Sequence, residues 1–243
     1  MTAPDPFADQ RLVRSIERTP GADIPAGAWP ATVPAITQLL ESGLELGAGV
    51  TFLVGENGSG KSTLVEAAAV AYGLGPEGGT IHSAHETRPT ESPLADWIRL
   101  VKRAGAPKWG FFLRAETMHG YFTFQDALPL GPDFHSMSHG ESFLAVTESY
   151  LTKPGFYCLD EPEAALSFNS TLAMIGALSD LVANGSQILC ATHSPVLASL
   201  PGATIYEVAA DGIHRTEWDD LDLVRNWKAY LDAPGRYLRH ILD

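Results

Sequence analysis

From Leu44 onward the chain alternates short, almost wholly apolar runs with longer segments patterned as helices. The run GVTFLVG has no polar alternation, which predicts a strand buried on both faces, and it ends in a Gly-rich turn. STLVEAAAVAYGL follows, with the Ala and Leu content of a buried helix. The order then repeats: strand WGFFLRA, helix ESFLAVTESYL, strand GFYCLDEP, helix NSTLAMIGALSDLVANG, strand SQILCATH, a short helix after Ser194, and strand ATIYEVA. A turn at Asp211-Gly212 sends this last strand back as IHRTEW. LADWIRLVKRAG predicts an amphipathic helix, and WKAYLDAPGRYLRHILD predicts two more short ones. Residues 75–92, crowded with Gly, Pro, Ser, Thr and His, predict a long surface loop. Residues 1–35 carry little periodicity and predict an irregular lead-in that wraps the domain.

Strands alternating with helices predict an α/β fold: a mainly parallel sheet covered by helices on both faces, with a smaller helical or antiparallel part. The expected organisation is one domain over 1–243, with a lead-in at 1–43, a motif-bearing core at 44–210, and a C-terminal hairpin strand and helices at 211–243. No internal repeat or low-complexity tract interrupts it. The 243 residues are 45% hydrophobic and 19% charged, which is ordinary for a globular protein.

Charge narrows the partners. A formal net charge of -13 repels nucleic acid and anionic lipid on average, so nucleic acid is disfavoured as a partner. The densest cationic stretch, Lys102, Arg103 and Lys108, is explained by an exposed helix end. Cys158 and Cys190 each sit inside an apolar run that reads as a buried strand, which implies a reduced, cytoplasmic setting. No stretch approaches the ~18–20 continuous apolar residues of a membrane span, and MTAPDPFADQ lacks the order of a signal peptide. Direct membrane insertion is therefore not expected.

The chemistry is concentrated at three strand ends. GENGSGKST, from Gly55 to Thr63, satisfies G-x-x-x-x-G-K-[ST] between a predicted strand and a predicted helix. Gly55, Gly58 and Gly60 free the backbone so that the N–H groups from Glu56, Asn57 and Ser59 onward converge on phosphate oxygens. Lys61 reaches the β- and γ-phosphates of ATP, and Ser62 offers a hydroxyl to Mg²⁺, with Thr63 completing the binding set. Asp160 and Glu161 emerge at the carboxyl end of the strand FYCLD, where Asp160 suits Mg²⁺ and Glu161 suits the general base. His193 ends the next strand, placed to donate a hydrogen bond to the γ-phosphate or to the attacking water.

With these pieces in order, residues 44–210 resemble the ABC-type ATPase family of P-loop NTPases. Met137-Ser138-His139-Gly140-Glu141-Ser142 is similar to the LSGGQ signature of that family, ahead of a helix and upstream of the acids. The resemblance implies ATP hydrolysis by an ATP-dependent homodimer that drives a protein partner, one subunit's signature closing on the γ-phosphate held by the other. Ser138 and the Gly140 amide then make those contacts, with Glu141 opening the helix behind them. DEPEAALS and ATHSP look like the soluble SMC- or RecF-like branch and small bacterial ATPases more than like transporter subunits. The stretch between Lys61 and Ser138 is too short for long coiled-coil arms.

Three positions depart from, or stay open within, that pattern. Ser167 stands where many members have Asp. At the position of the family's usual metal-binding Gln, Glu116 fits best and Gln125 less well, and either is equally explained as a surface residue. Trp29 or Phe7 is available to stack on adenine, although Trp29 beside Pro30 also suits a packing anchor. His82, His85, His119 and His135 lack the spacing of a zinc site. Other assignments with the same motifs are a transporter's nucleotide-binding subunit, a DNA-repair or phage-defence ATPase disfavoured by the charge, and a non-hydrolysing sensor disfavoured by Glu161.

Overall fold

The structure, a computed structural model, describes residues 10–76, 78–80, 92–114, 151–164 and 166–242. Met137 to Ser142, Glu116, Gln125, Phe7, the helix ESFLAVTESYL and most of the 75–92 loop lie outside them. The strands are β1 (Val13–Arg18), β2 (Leu44–Glu45), β3 (Val50–Val54), β4 (Gly79–Thr80), β5 (Ile98–Lys102), β6 (Gly110–Arg114), β7 (Phe156–Asp160), β8 (Gln187–Thr192), β9 (Thr204–Ala209) and β10 (Gly212–Thr216). The helices are α1 (Pro34–Ser42), α2 (Lys61–Tyr72), the single turn α3 (Leu94–Trp97), α4 (Phe168–Ala183), α5 (Asp222–Asp232) and α6 (Pro234–Leu242). A 3-10 turn, Leu197–Ser199, is the short helix expected after Ser194.

Seven strands form one sheet in the order β10-β9-β3-β8-β7-β6-β4. The run from β9 to β6 is parallel throughout, and β10 and β4 close its edges antiparallel. The apolar runs are buried as expected: every residue of β3, β7 and β8 is covered. Alternate side chains of these strands feed two cores. Leu53, Phe156, Cys158, Leu189 and Ala191 pack with α1 and α2 on one face. Phe52, Tyr157, Leu159, Ile188 and Cys190 pack with α4 and Val224 of α5 on the other. Both cysteines are unbridged, and burial pushes both thiols above the ordinary range, so they act as small hydrophobes.

Two expectations are corrected. The lead-in is not wholly irregular, because β1 lies inside it and pairs antiparallel with β2 and β5 as the centre of a three-stranded sheet. The predicted helix LADWIRLVKRAG forms only the turn α3 and then extends as β5. Strand β1 needs a partner on this side, and Glu17 sits opposite Arg99 in register with their side chains 2.8 Å apart. Lys102 therefore ends a strand instead of an exposed helix. Its ammonium lies 4.1 Å from the Tyr72 ring centroid and donates to the Tyr72 carbonyl at 3.2 Å.

Gln187, 1% exposed at the start of β8, ties the small sheet to the large one. Its amide donates to the carbonyls of Val13 at 2.8 Å and Gly47 at 2.6 Å, and its oxygen accepts from the Val13 N–H at 2.8 Å. A leucine there would leave both backbone groups of Val13 buried without these partners. Gln187→Leu is expected to lower stability by about 3 kcal/mol, as measured by urea unfolding. A change below measurement error would mean that the clamp is not needed to seat β1.

Candidate functional site

Strand register brings the chemical loops level. Val54 pairs with Thr192, Ala191 with Asp160, and Asp160 with Arg114, so β3, β8, β7 and β6 end along one edge of the sheet. Adjacent ends are separated by roughly one strand spacing, about 4.8 Å. The phosphate loop, His193 and the acidic pair thus leave the sheet side by side.

The phosphate loop runs from Gly55 into α2, whose N-terminus has no side-chain cap among the described residues. Its first N–H groups are thereby left for another acceptor, which is the arrangement that receives an anion. Gly60 has φ 99°, a conformation that disfavours side chains, and Gly58 has φ 79°. A Cβ on Gly55 would sit 2.1 Å from the Val208 carbonyl oxygen, so β9 presses directly on the loop. Lys61 is 3% exposed and donates to the Glu56 carbonyl at 2.8 Å and the Ser59 hydroxyl at 3.4 Å. Burial lowers its pKa, while Glu161, Asp160, Glu56 and Glu163 act to raise it. Lys61 and the strand-end acids therefore share one electrostatic neighbourhood. Ser62 and Thr63 follow in the first turn of α2, both half-buried.

Asp160 is 5% exposed, and Glu161 begins the turn beyond β7 with φ 50°. Among the described residues it is the one non-glycine with a positive φ. Such a conformation costs on the order of 1 kcal/mol, and a bond from its N–H to the Ala191 carbonyl at 3.0 Å holds the turn. His193 Nε2 lies 2.8 Å from Glu161 Oε1 but out of line for a hydrogen bond. Nε2 is buried with no hydrogen-bond partner among the described residues. The donor set suits Mg²⁺·ATP: free helix N–H groups and Lys61 for phosphate, and a buried Asp160 with the Ser62 hydroxyl for the cation.

Sequence reasoning missed two side chains here. Glu163 turns back from the loop after the acids, accepting from the Thr192 hydroxyl at 2.5 Å and from the His193 N–H at 2.7 Å. Its string, DEPE, is visible in the sequence, but nothing in the spacing says that the second Glu reaches β8. Arg114 spans two acids, with Nη1 2.7 Å from Glu66 Oε2 and Nε 3.7 Å from Asp160 Oδ2. Its position at the end of a strand beside an acidic strand end was the available signal. Ser167, where the resemblance led to an Asp, caps α4 by accepting from the Ser170 N–H at 3.2 Å.

A cleft of about 840 Å³ follows the outer side of the phosphate loop from Gly55 to Ser59. Val33, Pro34, His193, the end of β9 and Trp227 of α5 also line it. Lys61, Ser62 and Asp160 do not, so it shares the outer residues of the phosphate loop without including the cation ligands. Trp29 is 57% exposed and does not line this cleft. Its exposure also removes the packing-anchor role.

Gly55→Ala is expected to weaken binding of a fluorescent ATP analogue at least tenfold, because the methyl group meets β9 backbone that cannot rotate away. Equilibrium titration with Mg²⁺ checks this. Unchanged affinity would show that the loop relaxes without loss of its shape.

No protein-family model matches this chain. The ATP-binding export protein CcmA of cytochrome c biogenesis from Rhizobium etli is 28% identical over 166 positions, covering 59% of this chain and 75% of that one. An inward-facing ABC transporter of the metal-chelate type superposes with a TM-score of 0.51 and 16% identity, over 90% of this chain and 88% of that one. The SMC head domain from Thermotoga maritima overlaps more loosely, with a TM-score of 0.42 and 17% identity over 72% of this chain and 93% of that one. No described helix is long and apolar enough to cross a membrane. Similarity to an ATP-binding export protein, the fold shared with an ABC transporter, and the level placement of phosphate loop, acids and histidine support an ABC-type P-loop ATPase.

Proposed function

We propose that the chain hydrolyses Mg²⁺·ATP in a site shared by two copies and passes the resulting motion to a protein partner. The observation that carries this reading is the convergence of Lys61, Asp160, Glu161 and His193 at adjacent strand ends. Lys61 and the N–H groups of residues 56–63 hold the phosphates and balance the charge that develops during transfer. Ser62 and Asp160 would hold Mg²⁺, which neutralises phosphate charge. Glu161 takes the proton of a water attacking the γ-phosphorus, as the bond from that phosphorus to the ADP oxygen breaks. His193 Nε2, without a hydrogen-bond partner among the described residues, donates to the γ-phosphate or to that water.

In this proposal the segment containing Ser138, Gly140 and Glu141 closes on the phosphate loop of the second copy, and Glu116 completes the metal site. ATP is then a ligand that bridges two chains and stabilises their association. The likeness to an export protein favours a second reading, in which the chain is the nucleotide-binding subunit of an export system and a separate membrane chain is its partner.

Lys61→Ala is expected to reduce ATP turnover at least 100-fold without loss of the folded state, followed by phosphate release and circular dichroism. Retained turnover would remove the phosphate-loop assignment. Glu161→Gln keeps the shape of the side chain but not the base, so it is expected to bind ATP without hydrolysing it and to form a dimer with ATP but not with ADP. Light scattering after size exclusion reads the mass, and Ser138→Arg added to Glu161→Gln is expected to return it to the monomer. A mass indifferent to nucleotide would contradict the shared site.

A further inference from the structure

On the reading that His193 serves the γ-phosphate, we infer that Glu163 is its positioning residue, a carboxylate that fixes the histidine by holding the end of β8. The sequence after the acids and the sequence after β8 are separate loops, and among the described residues Glu163 is the side chain whose hydrogen bonds join them. Its Oε1 takes two short bonds at once, from the Thr192 hydroxyl at 2.5 Å and from the His193 N–H at 2.7 Å. Thr192 is fully buried, and its hydroxyl oxygen in turn accepts the Ser194 N–H at 3.0 Å. Three consecutive residues, Thr192 to Ser194, are thus organised around one carboxylate oxygen. Hydrogen bonds to an ionised acceptor are short and strong, and they define where the acceptor's partners sit.

This placement matters because, among the described residues, the His193 ring has no hydrogen-bond partner at Nε2. Its ring nitrogen Nε2 approaches Glu161 at 2.8 Å off the line of a hydrogen bond. The position of the imidazole is therefore set through its backbone, and Glu163 binds that backbone directly. Glu161 is fixed from the same strand, since its N–H bonds to the Ala191 carbonyl. Base and histidine are consequently registered against each other by two cross-links between the β7 turn and β8, one through the Glu161 main chain and one through the Glu163 side chain. Displacing the second link removes neither of the Lys61 hydrogen bonds, to the Glu56 carbonyl and the Ser59 hydroxyl. Glu163 is also the weakest of the four carboxylates acting on Lys61, so neutralising it changes the phosphate-binding charge little.

The test compares Glu163→Ala, Glu163→Gln, His193→Ala and the double variant Glu163→Ala/His193→Ala by steady-state phosphate release and by ATP titration. Glu163→Ala is expected to lower kcat ~10- to 100-fold while KM and ATP affinity stay within about twofold. Glu163→Gln keeps an oxygen that accepts both bonds and is expected to retain most of the turnover. In the double variant, Glu163→Ala is expected to add no loss to that of His193→Ala, because both act through one imidazole. Thr192→Val, nearly isosteric in its buried site, removes one of the two donors and serves where Glu163→Ala does not fold. It is expected to lower kcat with ATP affinity kept, and only when His193 is present. Full turnover in Glu163→Ala, losses that multiply in the double variant, or a Glu163→Gln as impaired as the alanine would each overturn the inference. If His193→Ala is impaired and Glu163→Ala is not, the inference alone fails. If His193→Ala keeps full turnover, the reading of the site fails with it.

Discussion

The parallel pairing of β3, β8 and β7 is the constraint from which the rest of the site follows. Each strand is buried on both faces, so its side chains lock it in place and its ends cannot slide. A shift of one residue would exchange the residues feeding the two cores, bringing Phe52 and Tyr157 to the α2 face and Leu53 and Cys158 to the α4 face. The observed register levels Val54, Asp160 and Thr192 at one edge, where three loops of different chemistry begin. Apolar packing, which carries no functional information itself, thereby sets the relative positions of a phosphate loop, an acidic pair and a histidine.

Polar side chains then refine what the sheet places. Gln187 anchors β1 at one end of β8, and Glu163 organises Thr192 to Ser194 at the other. The contact of Gly55 with Val208 brings β9 against the phosphate loop, and Glu161 is held in a left-handed turn by its bond to Ala191. These devices have a common logic: a costly group, whether a buried amide, a strained turn or a buried carboxylate, persists where surrounding backbone over-determines it. They lie around the strand ends in which the proposed chemistry takes place.

Much of this arrangement was legible in the sequence because it rests on strong signals. Continuous apolar runs marked β3, β7 and β8, and GENGSGKST fixed the turn between β3 and α2. Strand β1 escaped because VRSIER carries two apolar residues among four polar ones, and its pairing with β5 includes a register shift. Strand β5 was hidden for a different reason: Leu94, Trp97, Ile98 and Val101 have helical spacing, and the demand of β1 for a partner overrides it. Glu163, Arg114 and Gln187 were not assigned because each acts across a distance in sequence that only the sheet order closes. Trp29 looked like an anchor beside its proline, yet it stands exposed. The segments bearing Ser138, Gly140, Glu141 and Glu116 fall outside the described residues, so their roles rest on the resemblance.

The central claim is that the strand ends of one chain form half of an ATP-hydrolysing site. Phosphate release from Mg²⁺·ATP, measured per chain as the concentration of the unmodified protein is raised, tests it most directly. The account predicts a turnover that climbs with concentration, levels off once the chains are paired, and disappears when Mg²⁺ is chelated. A turnover per chain that does not change with concentration, or protein that binds ATP yet releases no phosphate at any concentration, would contradict it.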